Sequence, residues 1–326
     1  MADRCDRMRE RLRFGGMDAV AGLLDGPRAQ GAFLLRSTLD PPWSLRIEDE
    51  APLTLVAVVR GSAWVLPDGG DPVLLGAGDC AILRGPDPYT VADDPHTAPQ
   101  MLIGPGETCT PAPGHDAKAM DDLGVRTWGN SPDGATVLLT GTYRMDGEVS
   151  RRLLRSLPVL LTLPAAALQS PLVELLATEV VRDEPGQEAV LDRLLDLLLI
   201  AVLRAWFARP DGAAPGWYRA WGDPVVGPAL RLLHHAPQQP WTVGSLAAAT
   251  HVSRATLARR FHELVGEPPM SFLTGWRIAL AADLLREPGA TLAGVADQVG
   301  YGSAFALSAA FKRVRGISPA QHRAAA

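Results

Sequence analysis

The chain has 326 residues, of which 47% are hydrophobic and 21% charged, and its net charge at pH 7 is −5. This composition excludes a disordered or fibrous chain, and the length is sufficient for two domains with separate cores. The charge is uneven, because residues 225–326 hold ten Lys or Arg and five Asp or Glu, a net +5 that leaves −10 for residues 1–224. A basic C-terminal part on an acidic body indicates that one domain binds phosphate groups and the other does not.

Targeting segments and cysteine patterns exclude further classes. The first ten residues contain no apolar core, so they do not form a secretory signal. The apolar run Leu197–Leu203 is far shorter than the roughly 20 residues that span a bilayer. We therefore expect a cytoplasmic protein without membrane contact. The cysteines Cys5, Cys80 and Cys109 are odd in number and lack metal spacing, so they do not form a disulfide framework.

Residues 30 to about 165 have the pattern of short strands. Apolar stretches of about five residues alternate with Gly, Pro and Asp, which predicts a small barrel or sandwich. The stretches are Leu53–Val59, Ser62–Leu66, Pro72–Leu75, Cys80–Leu83 and Thr136–Thr140. The segment Pro86–Pro113 contains seven prolines and is predicted to be rich in loops.

Helical periodicity begins near Pro171 and continues to Phe207. Its longer helix, from about Glu188 to Phe207, has one apolar stripe. The stripe consists of Leu191, Leu194, Leu195, Leu198, Val202 and Trp206. It either packs on the chain's own barrel or forms a homodimer interface. The Pro- and Gly-rich segment 209–216 is predicted to be a linker.

The last hundred residues contain one pattern twice, fifty residues apart. Ser253–Phe261 and Ser303–Phe311 each have a Ser four residues before a Leu, and a Phe four residues after that Leu. The Leu and Phe share one helical face, and the Ser occupies an N-cap position. Each copy follows a short helix of small residues, so the sequence predicts two helix-turn-helix motifs. A single helix over Pro269–Leu285 would fix their separation, and adjacent major-groove sites on one face of DNA lie about 34 Å apart.

The two copies differ at the positions that would face DNA. Arg259 of the first copy corresponds to Ala309 of the second, and Arg254 corresponds to Ala304. Arginine reads guanine O6 and N7, whereas alanine cannot. We therefore expect the first helix to read bases and the second mainly to contact the DNA backbone. Lys312, Arg313 and Arg315 are the expected backbone contacts.

These C-terminal residues resemble the AraC/XylS family of transcription regulators. The resemblance rests on the two copies together with Gly266–Pro269, Trp276-Arg277, Val299–Ser303 and Gly316–Pro319. The N-terminal part resembles the cupin-type sensor domain of one AraC subgroup through Pro41–Trp43, Ala57–Gly61 and Gly76–Asp79. The resemblance implies a promoter-binding transcription regulator, either an activator or a repressor, that is often dimeric and acts on RNA polymerase.

We therefore predict an α+β multidomain chain. Residues 1–170 form a cupin-like β-barrel sensor domain, 171–224 a helical dimerisation or linker region, and 225–326 an all-α domain with two helix-turn-helix motifs. The partners expected are double-stranded promoter DNA, a second copy of the chain and a small-molecule effector. The candidate DNA-binding residues are Ser253, Arg254, Thr256, Ala258, Arg259, His262, Ser303, Phe305, Ser308, Lys312 and Arg313. Arg254 either faces a phosphate or is only solvated.

The barrel departs from metal-dependent cupins. Residues 50–95 contain no His, and Val56 and Tyr89 stand where the resemblance implies one. His96 and His115 are isolated in Pro-rich segments, so we expect neither a metal nor another cofactor. Without a metal centre we expect that the protein is not an enzyme. The alternatives are a metal-dependent cupin enzyme with a DNA-binding accessory domain, and a regulator whose barrel serves only assembly.

Two kinds of signal remain open for the barrel. A small molecule would bind in its mouth, with Trp43, Trp64 and Tyr89 as candidate contacts; Trp128 is a further wall candidate. A redox signal would act through Cys80 and Cys109, although Asp79 beside Cys80 opposes formation of a reactive thiolate.

Overall fold

The structure, a computed structural model, describes residues 33–114, 120–143, 147–209 and 216–324. These residues divide into two compact bodies. The β-sheet body holds residues 33–114, 120–143 and 153–209, and the helical body holds residues 147–152 and 216–324. Across the described ranges, no helix combines the length and the apolar character needed to cross a bilayer.

The described part of the β-sheet body contains thirteen strands in two facing sheets. In chain order they are β1 (Phe33–Leu39), β2 (Ser44–Ile47), β3 (Leu53–Arg60), β4 (Ser62–Pro67), β5 (Val73–Gly76), β6 (Cys80–Arg84), β7 (Tyr89–Ala92), β8 (Met101–Gly104), β9 (Thr108–Pro111), β10 (Asp121–Gly124), β11 (Thr127–Gly129), β12 (Thr136–Tyr143) and β13 (Leu160–Leu163). One sheet has the order β10-β11-β1-β12-β3-β6-β13 and the other β5-β4-β7-β2-β8-β9. Most pairs are antiparallel, but β1 pairs with β11, and β2 with β8, in parallel.

The helices, in chain order along the described residues, are α1 (Glu148–Leu154), α2 (Ala165–Leu168), α3 (Leu172–Glu179), α4 (Gln187–Phe207), α5 (Gly216–Trp221), α6 (Val226–His235), α7 (Val243–Ala249), α8 (Arg254–Val265), α9 (Pro269–Leu284), α10 (Leu292–Val299), α11 (Ala304–Arg315) and α12 (Pro319–Ala324). The first five residues of α1 belong to the helical body.

The central strands β3 and β12 are covered on both faces, which explains their nearly continuous apolar sequences. Val56, Val58 and Leu138 enter the core between the two sheets. On the opposite face, a Cβ at Gly141 would lie 2.7 Å from Leu195 of α4, and the Tyr143 hydroxyl donates to the Leu195 carbonyl at 2.9 Å. Gly141 therefore allows α4 to approach β12 closely.

The cupin-like body, the helical body and the five predicted strand stretches are confirmed. The segment Pro86–Pro113 is rich in loops, as predicted, but the sequence did not reveal the strands β7, β8 and β9 that lie within it. Each has four residues, and β7 and β8 pair with the distant strand β2. Long-range pairing of such short strands leaves no periodic signal in the local sequence.

Residues 171–224 do not form a region of their own. Helices α3 and α4 belong to the β-sheet body, and α5 belongs to the helical body. Five of the six residues of the predicted apolar stripe of α4 are turned inward and buried, namely Leu191, Leu195, Leu198, Val202 and Trp206, whereas Leu194 is half-buried at its edge. The five buried residues therefore pack within the protein and are not available as a dimer interface.

The helical body has two adjacent cores that share α9. Phe272 and Leu273 contribute to the core of the first repeat. Ile278 and Ala281 contribute to the core of the second. As predicted, one helix spans the connection between the repeats.

Candidate nucleic-acid interface and barrel cavity

The first repeat forms a helix-turn-helix from α7 and α8. The Ser253 hydroxyl accepts the Thr256 amide at 3.1 Å, which confirms the predicted N-cap. Leu257 and Phe261 are fully buried. On the opposite side Ala255, Arg259 and His262 are exposed, and they form the first outward face. Ala255 was missed in the sequence, although its position four residues before Arg259 places it on the same helical face.

The second repeat forms the same arrangement from α10 and α11. The Ser303 hydroxyl accepts the Ala306 amide at 3.2 Å, which again confirms the N-cap. Leu307 and Phe311 are fully buried. The second outward face consists of Phe305, Ala309 and Lys312, all exposed.

The other candidate DNA-binding residues lie around these two faces. Ala258 and Ser308 are half-buried at their edges. Thr256 places its hydroxyl 2.8 Å from that of Ser253. Arg313 is exposed in the last turn of α11. The sequence-predicted residues are therefore brought together on two capped helices.

The arginines have different partners in the structure. Nη1 of Arg259 lies 3.0 Å from Oε1 of Glu263, and both side chains are more than half exposed. Such an exposed pair is weak, so Arg259 can exchange it for another partner. The guanidinium of Arg254 lies beside Gly244 of α7, since a Cβ there would stand 2.9 Å from Nε. Arg254 remains exposed, which leaves both of its expected roles open.

One basic residue expected at the DNA backbone is engaged elsewhere. Arg315 forms an ion pair with Glu148 of α1, whose carboxylate is buried and also pairs with Arg151. Nη2 of Arg315 donates to Oε1 of Glu148 at 2.8 Å. This expectation is corrected because pairing with a buried carboxylate fixes the guanidinium inside the helical body.

The loop 236–240, between α6 and α7, lies against the second repeat. Arg277 of α9 donates from Nε to the Pro237 carbonyl and from Nη2 to the Gln239 carbonyl, both at 2.7 Å. Between these carbonyls, the Gln238 backbone lies against Gly300 of the second repeat. The loop, which precedes the first repeat in the chain, thus contacts both α9 and the second repeat.

His234 lies in an aromatic environment within the helical body. Its ring centroid is 4.4 Å from that of Trp276 and 5.4 Å from that of Phe272. Burial, together with the charges of Arg152 and His235, lowers the pKa of His234 to about 3. The imidazole is therefore neutral near pH 7.

The β-sheet body holds a small cavity between its two sheets that opens to solvent. Its wall is mainly apolar in area, although six of its thirteen lining residues carry a polar side-chain group. The lining residues are Leu35, Ser37, Leu45, Ile47, Asp49, Val56, Tyr89, Val91, Ile103, Trp128, Leu138, Thr140 and Thr142. Burial raises the pKa of the Asp49 carboxyl. Trp128 donates from Nε1 to the Ser37 hydroxyl at 2.9 Å, which fixes its ring in the wall.

The effector candidates divide into two groups. Tyr89 and Trp128 line the cavity, whereas Trp43 and Trp64 are not among its lining residues. Trp43 is instead fully buried in the core. The prediction for Trp43 and Trp64 was wrong because alternate residues of a strand point to opposite faces of the sheet, and because the loop before β2 packs Trp43 into the core.

The residues present do not fit a cupin-type metal centre. Val56 and Tyr89, at the positions where the resemblance implies histidines, both line the cavity. Over the ranges that the structure describes, no group of three or more His, Cys, Asp or Glu side chains is placed to hold a metal ion. His96 is 94% exposed beside Asp94, and His115 lies outside the described residues.

The two redox candidates lie in different sheets. Cys80 is buried at the start of β6, and burial together with the charge of Asp79 raises the pKa of its thiol to about 12. Such a thiol is almost entirely protonated near neutral pH and reacts slowly with oxidants. Cys109 is exposed on β9. The environment of Cys80 therefore opposes a sensor role for this residue.

Comparisons with known proteins agree with this architecture. Residues 18–208 match a family model described as Cupin, and residues 246–325 match one described as Helix-turn-helix domain. The chain is 36% identical, over 86% of its length and 90% of the relative's, to a protein of Streptomyces lividans assigned as an AraC-like transcription regulator. It is 27% identical, over 94% of its length and 99% of the relative's, to the HTH-type transcriptional regulator AlkR of Acinetobacter baylyi.

Among solved structures, the DNA-binding domain of AdpA, a global transcriptional factor solved with a target DNA, is 36% identical. That match covers 32% of this chain and 93% of the AdpA domain, with a TM-score of 0.30. The chain belongs to the AraC-type family of DNA-binding transcriptional regulators and carries a cupin-type N-terminal domain.

Proposed function

We propose that this protein binds promoter DNA in a sequence-specific manner and that a small molecule in the β-sheet body controls this binding. The observation that supports DNA recognition is the pair of capped helices with exposed outward faces. Arg259 is 67% exposed on the first face, and its partner Glu263 holds it only weakly. It can therefore donate two hydrogen bonds to a guanine in the major groove.

Arg259→Ala and Lys312→Ala test this proposal as a matched pair, because each removes one exposed positive charge. The probes are a duplex that the full chain enriches from a random pool and a scrambled duplex of the same composition. Arg259→Ala should lose about 1–3 kcal/mol on the enriched duplex and much less on the scrambled one. Lys312→Ala should weaken both duplexes alike and reduce the salt slope by about 1. Equal losses on both duplexes for Arg259→Ala would contradict base reading by this residue.

The cavity favours a small-molecule signal over a redox signal. An apolar wall with one partly buried carboxylate suits a ligand that has a hydrocarbon part and one hydrogen-bond donor. Asp49 would accept that donor, and the fixed ring of Trp128 would pack against the hydrocarbon. A ligand carrying a carboxylate would be repelled by Asp49.

Octylamine, octanol and octanoate test this ligand class, because they share one chain and differ only in the head group. Calorimetry with the full chain should show binding of the amine and the alcohol and none of the acid. Asp49→Asn should reduce amine binding and allow the acid to bind. Asp71→Asn, which removes an exposed carboxylate outside the cavity lining, is the control. No difference between the three head groups would refute the role of Asp49.

We also propose a homodimer that uses the outer side of α4. Val190 and Leu197 are 45% and 50% exposed there. With the half-buried Leu194 and Ala201 they follow the four-three-four spacing of a helix-pair seam. A two-fold pair of such seams would bring two helical bodies to one promoter, where the family resemblance implies contact with RNA polymerase.

A further inference from the structure

Phe305 has the most exposed large apolar side chain in the described ranges, at 84%. It lies in the first turn of α11, on the side opposite the buried Leu307 and Phe311. A large apolar group this exposed on a capped helix indicates a contact surface. Phe305 belongs to the second outward face, so we expect it to contact the same partner as Ala309 and Lys312.

The two outward faces carry different kinds of side chain at equivalent positions. Phe305 corresponds to Ala255 in the first repeat, and Ala309 corresponds to Arg259. The first face therefore has a small residue beside a long hydrogen-bond donor, whereas the second has a large apolar ring beside a small residue. Ala309 leaves the Phe305 ring accessible and supplies no polar group that competes for the same base.

The surroundings of this apolar pair are polar and basic. Ser303 and Ser308 flank it with hydroxyl groups, and Lys312 and Arg313 follow in the last turn of the helix. The matching partner is an apolar group set among phosphates. In the major groove of DNA, that group is the C5-methyl of thymine, which apolar side chains such as Phe and Ala contact.

We propose that Phe305, with Ala309 beside it, recognises thymine methyl groups in the major groove at the second half of the binding site. The second helix then selects sequence by apolar contact, in addition to holding the protein on the DNA backbone. This inference rests on the proposed DNA-binding function and adds the class of base edge that the second motif recognises.

Deoxyuridine provides a direct test, because it pairs as thymine does and lacks only the methyl group. The probe is the duplex that the full chain enriches from a random pool, with each thymine replaced in turn by deoxyuridine. At one or two adjacent positions, replacement should weaken binding about fourfold per methyl, the factor expected for one buried methyl-sized group. The Phe305→Ala variant should bind the thymine duplex more weakly than the unaltered protein does. It should also bind the thymine and deoxyuridine duplexes with equal affinity.

Val314→Ala is the matched control, because Val314 is another exposed apolar residue of α11, 48% exposed near the C-terminal end. It should keep the preference for thymine over deoxyuridine. Phe305→Leu, which retains an apolar group, should keep part of that preference. The comparison of the two duplexes with the unaltered protein does not depend on how well any variant folds.

Three outcomes would overturn the inference, and they are distinguishable. If the unaltered protein binds all deoxyuridine duplexes as tightly as the thymine duplex, methyl recognition is wrong while DNA binding stands. If Phe305→Ala keeps the full preference, another residue contacts the methyl group. If the chain enriches no duplex at low salt, the proposed function fails and this inference with it; Phe305 would then face a protein partner.

Discussion

Gly300 approaches Gln238 so closely that a Cβ on the glycine would stand 2.6 Å from the Gln238 Cα. The contact joins the turn before the second recognition helix to the loop before the first motif. Gly300 also has φ +82°, a conformation that strains other residues. Both features favour glycine at this position, and we expect the contact to help orient the two repeats.

Gly300→Ala should therefore destabilise the helical body and weaken binding to a two-motif duplex. Gly266→Ala is the matched control, since Gly266 has φ +90° and an added Cβ would meet nothing within 4 Å. Both variants should lose about 1 kcal/mol from backbone strain in urea unfolding, and Gly300→Ala should lose more because its Cβ also meets the Gln238 backbone. Only Gly300→Ala should also lose DNA affinity in a gel shift, because it alone displaces the loop. Equal affinities for the two variants would show that the contact does not set the orientation.

The neutral His234 should make the helical body sensitive to acid. Its pKa in the folded state is lowered to about 3 from an ordinary value of 6.5, so the unfolded chain binds a proton that the folded chain does not. The stability contribution is complete above pH 6.5 and is lost as the pH falls towards 3. At pH 5 the loss should reach about 2 kcal/mol.

His234→Leu removes this titration and should flatten the pH dependence between pH 6.5 and 4. Hydrogen exchange of the α6 and α9 amides at pH 7 and pH 5 provides the measurement. His262→Gln changes an exposed histidine and should leave the slope as it is. An unchanged slope in His234→Leu would place the acid sensitivity in another group.

Glu263 should reduce DNA affinity. Its carboxylate pairs with Arg259 and adds a negative charge beside the first outward face. Glu263→Gln should raise the affinity severalfold for all duplexes, because it removes both the ion pair with Arg259 and the negative charge. The lost ion pair within the helix costs only about 0.5 kcal/mol of stability. Fluorescence anisotropy at several salt concentrations checks this result. Glu184→Gln makes the same charge change in the β-sheet body, and an equal gain in that variant would indicate a general effect of net charge.

Leu197→Glu should dissociate the proposed dimer. A charge at the centre of an apolar helix seam is left without a partner on association. Sedimentation at micromolar concentration should show a monomer for Leu197→Glu and a dimer for the unaltered protein. Leu74→Glu changes a side chain with nearly the same exposure, 51%, on β5 and should leave the dimer intact. A monomeric protein before any substitution would contradict the proposal.

Local chemistry explains what the sequence could predict. The caps at Ser253 and Ser303 depend on residues within three positions, so a single chain reveals them. The long helix α9 follows from its periodicity in the same way. The parallel pairing of β1 with β11 joins residues about ninety positions apart, and no local pattern encodes it.

Side-chain direction explains what could not be predicted at the sites. Trp43 and Tyr89 are equally plausible cavity residues in the sequence, yet only Tyr89 reaches the cavity. Arg315 and Arg259 are both helix-face arginines, but Arg315 meets the carboxylate of Glu148, which is 167 positions away in the chain. Long-range packing assigns these roles, and it becomes visible only in three dimensions.

The five residues of α1 in the helical body affect how the chain can be divided. The carboxylate of Asp283 accepts the Glu148 amide at 2.6 Å and the Val149 amide at 3.1 Å, and Glu148 in turn neutralises Arg315. A fragment that starts at residue 225 separates Asp283 and Arg315 from these partners, leaving one new acidic and one new basic site on its surface. Its affinity for DNA would then include a free guanidinium at Arg315 and a free carboxylate at Asp283, both of which have partners in the intact chain. The undivided chain is therefore the proper reference for measurements of promoter selectivity.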